Sequence, residues 1–158
     1  MTLDGDVARF SGTRPFDLLP REALQLIAFS CGKTRVPAGE ALFLAGDAGE
    51  AAYFVHSGAV ELTSHGDRIP LRQVGAGALI GESALYAPVA RQVDARAVTE
   101  TVVTRVPGET FRKVLAEFPS AAQAVRSAVA QRTRDLVDRL EASRTASLDR
   151  PRAARPAP

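Results

Sequence analysis

The sequence predicts a mainly β domain set between helices, and three observations carry that reading. Nine of the 12 glycines lie between Gly32 and Gly81, separating short apolar runs at the spacing of a small all-β sandwich or barrel. Before this stretch, Phe16, Leu19, Ala23, Leu26 and Ile27 recur at helical intervals. After it, Phe111, Val114, Leu115 and Phe118 follow the i, i+3, i+4, i+7 spacing of a buried helix face.

Each element follows from local residue choice. Residues 1–15 scatter polar groups and glycine without a period, so a loose leader is expected there. A helix is expected from Pro15, with Cys31-Gly32 as its stop. Candidate strands are Lys33–Val36, Ala41–Phe43, Ala51–His56, Ala59–Ser64, Arg68–Val74 and Leu79–Ile80. Further on, Val93, Ala95 and Ala97 alternate with Gln92, Asp94 and Arg96, giving a half-buried strand whose second set faces away from the core. Thr101–Val106 supplies the last strand, and Pro107-Gly108-Glu109 opens a helix. Pro119 cannot continue that helix but suits the first turn of another. The longest helical pattern runs over residues 120–142, its apolar line of Ala121, Val125, Val129, Leu136 and Leu140 interrupted by Arg132. Residues 143–158 are rich in Arg and Pro and poor in apolar content, the composition of a disordered tail. The expected organisation is thus a leader at 1–15, a folded domain at 16–142 and a tail at 143–158.

Composition narrows the function. A chain of 158 residues fits one domain with short appendages, and 46% apolar with 24% charged residues is ordinary for a soluble protein. The single cysteine, Cys31, excludes an intrachain disulfide and fits a reducing, cytoplasmic setting in a bacterial protein. No apolar run approaches the ~20 residues that span a bilayer. The last 16 residues carry four Arg and one Asp, which leaves 16 basic against 17 acidic residues elsewhere. The body therefore lacks the charge of a nucleic-acid-binding surface. Enzyme readings find little support. Gly81-Glu82-Ser83-Ala84-Leu85 lacks the final glycine of a nucleophile elbow. Two histidines, His56 and His65, with one cysteine do not make a zinc set, and there is no P-loop or dinucleotide fingerprint. No metal, no cofactor and no catalytic residue is expected.

The chemistry concentrates in Gly81-Glu82-Ser83-Ala84-Leu85 and in Arg91, nine residues after Glu82. Glycine lets backbone N–H groups approach an anion, a carboxylate accepts from sugar hydroxyls, and arginine clamps a phosphate through two parallel bonds. These residues suit a small ligand carrying both a ribose and a phosphate. The pattern resembles the phosphate-binding cassette of the cyclic-nucleotide-binding domain family, found in catabolite activator proteins, cyclic-nucleotide-gated channels and regulatory subunits of protein kinase A. That cassette reads roughly G-E-x-A-L, a short loop, then P-R-[STA]-A-[ST]; the second half here is Ala90-Arg91-Gln92-Val93-Asp94. The likeness continues upstream in Pro37-Ala38-Gly39-Glu40, Gly46-Asp47 and Tyr53-Phe54-Val55-His56-Ser57-Gly58, and spans roughly Phe16 to Leu140.

The resemblance implies a double-stranded β-helix, a jelly-roll-like β-roll, with an N-terminal helix, a short cassette helix and two C-terminal helices. It implies that Glu82 accepts from the ribose 2′-hydroxyl, that Arg91 grips the cyclic phosphate, and that Gly81 and Ala84 supply backbone N–H groups. Ser83 either adds a hydroxyl bond or caps the turn. Gln92 either meets a base edge or fills the base's space, beside Val93. Asp94 either repels the phosphate or pairs with Arg91 or Arg96. Val60, Leu62, Val74 and Leu79 are candidate walls for the base. Arg132 either snorkels to water or stacks on the base as a lid, with Leu136 an alternative lid.

The expected function is non-enzymatic binding of a 3′,5′-cyclic mononucleotide. cAMP is favoured over cGMP, because no Ser or Thr follows Arg91. The signal would pass through the C-terminal helices to an unidentified protein partner, with a homodimer possible through the long helix. Only about 16 residues follow that helix, too few for a helix-turn-helix, so no DNA-binding module is expected. The alternative is a degenerate relative that binds no nucleotide and acts as an interaction scaffold; a third reading makes the Arg-rich tail an anchor to an anionic surface.

Overall fold

The structure, a computed structural model, describes residues 3–148. Helices α1 (Leu3–Phe10) and α2 (Arg21–Ser30) precede ten strands, and α3 (Gly108–Ala116) and α4 (Pro119–Leu148) follow them. The strands are β1 (Lys33–Val36), β2 (Ala41–Phe43), β3 (Ala48–Gly49), β4 (Ala51–Ser57), β5 (Ala59–Thr63), β6 (Pro70–Gly75), β7 (Leu79–Ile80), β8 (Val89–Ala90), β9 (Asp94–Ala97) and β10 (Thr101–Pro107). They form two four-stranded sheets, ordered β1-β10-β4-β7 and β2-β9-β5-β6, and a two-stranded ladder of β3 and β8. Every pairing is antiparallel. This is the expected β-roll with flanking helices.

Period-2 alternation gives the central strands two buried faces. Val55 and Val103 point into the roll, where they meet Phe43, Val60, Ala95 and Ile80 from both sheets. Phe54 and His56 point the other way, toward the helices, where the Phe10 ring lies edge-on to Phe54 at 4.9 Å and 6.0 Å from His56. Phe10 also touches Phe16, and Phe16 meets Phe111 of α3 at 6.0 Å. An aromatic layer thus joins both flanking helical segments to one face of the β4–β10 sheet.

The N-terminus departs from expectation. Instead of a loose leader, residues 3–10 form α1, with Asp4 and Asp6 in the first turn, where carboxylates favour a helix N-terminus. Val7 and Phe10, one turn apart, are its buried anchors. The helix expected from Pro15 is also divided. Phe16–Leu18 form a single 3-10 turn, and extended Pro20 restarts the chain as α2. Leu24 then takes the buried position and Leu26 is exposed.

At the other end, α4 runs through Leu148, past the expected limit at 142. Ala142, Arg144 and Ala146 are good helix formers, and Thr145 donates its hydroxyl to the Glu141 carbonyl at 3.1 Å. The part of the expected tail from residue 149 onward lies outside the described residues. The chain divides after Ala122 into two compact units, and the described part of the second is the remainder of α4. In that unit residues 131–146 are all exposed, including Arg132, Leu136 and Leu140. No described helix is long and apolar enough to cross a membrane.

Candidate functional site

The site is built where β7 ends. Gly81 takes a left-handed conformation, φ +72°, ψ +35°, which an L-residue adopts only under strain, and caps the 3-10 turn Glu82–Leu85. A one-turn helix aims its first N–H groups, those of Glu82 and Ser83, out of its N-terminal end. The third, from Ala84, closes the turn on the Gly81 carbonyl at 3.1 Å, so this group holds the turn's shape. The methyl of Ala84 is buried, and Ser83 is exposed.

Arg91 reaches this turn from the other side. Its backbone is fixed by two bonds to the β2–β3 loop: its N–H donates to Asp47 O at 2.9 Å, and its carbonyl accepts from Gly46 N–H at 2.8 Å. The side chain runs inward and is only 9% exposed. Nη2 donates to the Ala51 carbonyl, Cζ stands 4.1 Å over the Phe43 ring, and Nη1 lies where a Cβ on Gly81 would be. Glycine at 81 is therefore favoured by its φ, and a Cβ there would also press on the guanidinium beneath it. Nε is buried without a hydrogen-bond partner. Burial lowers this group's hold on its proton, yet a guanidinium stays charged. The outcome is a positive charge with one unmet hydrogen bond inside the roll, next to the Gly81 turn.

Asp94 does not lock Arg91. Although strand alternation points it outward with Gln92 and Arg96, Asp94 is 5% exposed. Its Oδ1 accepts from Ala45 N–H at 2.8 Å and lies 3.2 Å from His65 Nδ1. The Ala45 bond, ahead of the His65 contact, holds this carboxyl below its ordinary pKa. The acid thus fastens the β2–β3 loop, the same loop that carries the Arg91 backbone. Gln92 is exposed, its amide 3.4 Å from the Ala90 carbonyl.

The other expected positions separate. Val60 is fully sealed in the core, whereas Leu62, Val74 and Val93 are half-buried against it and Leu79 is half-buried beside Phe54 in the register. Arg132 and Leu136 stand on the second unit. Phe43 and Tyr53 flank the guanidinium at 4.1 and 6.0 Å; Tyr53 opens the upstream motif, but neither ring was expected beside Arg91. Tyr86 was missed as well: its hydroxyl donates to Glu82 Oε1 at 2.6 Å. An i, i+4 Glu–Tyr pair is the signal that points to it.

A β-roll between helices, with a loop arginine buried against a left-handed glycine turn, defines the structural class of this domain. Comparison with known proteins places the chain within that class. The cyclic nucleotide-binding domain family matches residues 33–118, just over half of the chain. A cyclic nucleotide-binding-like protein from Brucella abortus is 35% identical, with 72% of this chain and 99% of that one covered at a TM-score of 0.67. The N-terminal domain of a transcriptional regulator from Streptomyces coelicolor is 31% identical, with 84% and 93% covered at a TM-score of 0.74. Among curated proteins, the lysophospholipase nte1 of Aspergillus fumigatus is 30% identical over 125 residues, 77% of this chain. The matched stretch is 8% of that protein's length. The chain belongs to the cyclic nucleotide-binding domain family.

Proposed function

We propose that this chain binds a 3′,5′-cyclic mononucleotide, cAMP ahead of cGMP, and reports it through α3 and α4 to a partner protein. The observation that supports the reading most is the Arg91 guanidinium, charged, buried and short of one hydrogen bond beneath the Gly81 turn. An equatorial phosphate oxygen at that point would supply the missing acceptor, and the N–H groups opening the turn would share the charge. Glu82, one residue further on, would accept from the ribose 2′-hydroxyl. The base would lie along half-buried Leu62, Val74 and Val93, opposite exposed Gln92. No hydroxyl side chain follows Arg91, which takes away one donor suited to a guanine edge.

Close contact between the turn and α3 supports coupling to the helix. The Ala84 carbonyl lies where a Cβ on Gly108 would be, and Arg112 Nη1 donates to the Leu85 carbonyl at 3.1 Å. A ligand that draws the turn inward would drag the first turn of α3, and it acts only through its different affinity for the two positions.

Isothermal titration of the full chain with cAMP and cGMP tests the reading. Saturable cAMP binding below ~100 μM, tighter than cGMP, is expected; no saturation by either at that concentration would sink it. That negative result would favour the scaffold reading, for which the Ala51 carbonyl and the Phe43 ring already make a resting place for the guanidinium.

A further inference from the structure

Tyr86 stands at the C-terminal end of the cassette turn with two different neighbours. Its hydroxyl donates to Glu82 Oε1 at 2.6 Å, and its ring meets the edge of Phe111 at 6.3 Å and 74°. Phe111 is fully buried in α3 and itself packs on Phe16. The ring is thus seated by the helix while the hydroxyl grips the acid. A flexible glutamate on a one-turn helix has three side-chain torsions to settle, and a charge-assisted bond from a seated ring removes much of that freedom.

We propose that Tyr86 is a positioning residue that sets the Glu82 carboxylate for the ligand's sugar hydroxyl and ties that acid to α3. The inference rests on the cyclic-nucleotide reading above, and it concerns discrimination by the sugar rather than capture of the phosphate. With the hydroxyl in place, Glu82 meets the ligand already oriented, so less ordering remains to be done on binding. Without it, the acid has one restraint fewer, and more of its ordering falls at the moment of contact. The effect is confined to ligands that carry a 2′-hydroxyl, because only these engage the carboxylate.

The test is titration of wild-type, Tyr86→Phe, Glu82→Gln and double-variant chains with cAMP and with 2′-deoxy-cAMP. Phe keeps the ring on Phe111 and removes only the hydroxyl. Tyr86→Phe is expected to lose about 10-fold in cAMP affinity, the effect of one charge-assisted bond, with 2′-deoxy-cAMP affinity unchanged. In the Glu82→Gln background the Tyr86 change should add little, because the two act as one unit. Equal losses for both ligands would show that Tyr86 merely supports the turn and would overturn the proposal. So would unchanged cAMP affinity in Tyr86→Phe. Wild-type chain binding neither ligand would remove the underlying reading itself, whereas wild-type binding with an indifferent Tyr86 removes this inference alone.

Discussion

Two buried nitrogen bases on opposite sides of the β4–β10 sheet invite comparison. On the helix side, the His56 side chain is fully buried, with Nε2 2.6 Å from the Thr104 hydroxyl and Nδ1 without a hydrogen-bond partner. Inside the roll, Arg91 is nearly as buried and also has one nitrogen unmet. Burial pushes the pKa of both groups down. The imidazole answers by staying neutral, so its burial is a packing matter. The guanidinium cannot discharge, and a buried charge without a paired anion is not something folding alone rewards. Similar environments therefore carry different meanings: one base packs helix against sheet, and the other keeps its charge inside the roll, as the proposed anionic ligand would require.

The sharpest way to break that comparison is to replace each base with an apolar side chain of similar length. Arg91→Met should lower cAMP affinity by 100-fold or more, since losing one partner of a desolvated pair costs about 3–5 kcal/mol. Its melting temperature without ligand should hold or rise. His56→Met should do the reverse, leaving affinity intact and removing about 1 kcal/mol of stability with the Thr104 bond. Titration and thermal melts on both variants check this, and a large loss of stability in Arg91→Met would erase the distinction.

Gly81→Ala should act more gently. Forcing an L-residue into the left-handed region costs roughly 1–2 kcal/mol, and the new methyl would push on Arg91, so affinity should fall on the order of 10-fold. Unchanged binding would mean that the guanidinium leaves its seat before the ligand arrives.

The smallest effect is a pH dependence on the helix side. The groups facing His56 are Asp6 and Arg9 on α1 and Lys33 on β1. Desolvation outweighs the Asp6 carboxylate, so the folded pKa lies below the unfolded value of about 6.5. Below pH 6.5 the unfolded chain gains a proton that the folded one refuses. Stability should therefore fall as pH drops below 6.5, by at most about 1.4 kcal/mol per pH unit from this group, until the folded pKa is reached. Denaturant melts from pH 7.5 to 5 should show the slope, and His56→Met should flatten it.

The sequence made some features legible and hid others for physical reasons. The turn and its arginine could be read because the chemistry lies within residues 81–91. The β-roll could be read because glycine-punctuated apolar runs are a local signal. α1 was hidden: its two anchors, Val7 and Phe10, sit among Asp4, Gly5 and Asp6, and Phe10 is held by Phe54 and His56, more than 40 residues away. Asp94 was misread for a similar reason. Alternation pointed it outward, while the N–H that draws it in belongs to Ala45, in the loop after the neighbouring strand β2 and 49 residues away in sequence. Tyr86 needed the turn geometry itself, because only in a helical turn do positions 82 and 86 meet.

The contact between Ala84 and Gly108 carries one more consequence. Most paired elements meet through side chains, whose rotamers give and absorb small shifts like padding. At this joint there is bare backbone on one side and a bare α-carbon on the other. The linkage therefore has almost no slack. On the proposed reading, a movement of the turn on ligand binding would therefore reach the root of α3 with little loss.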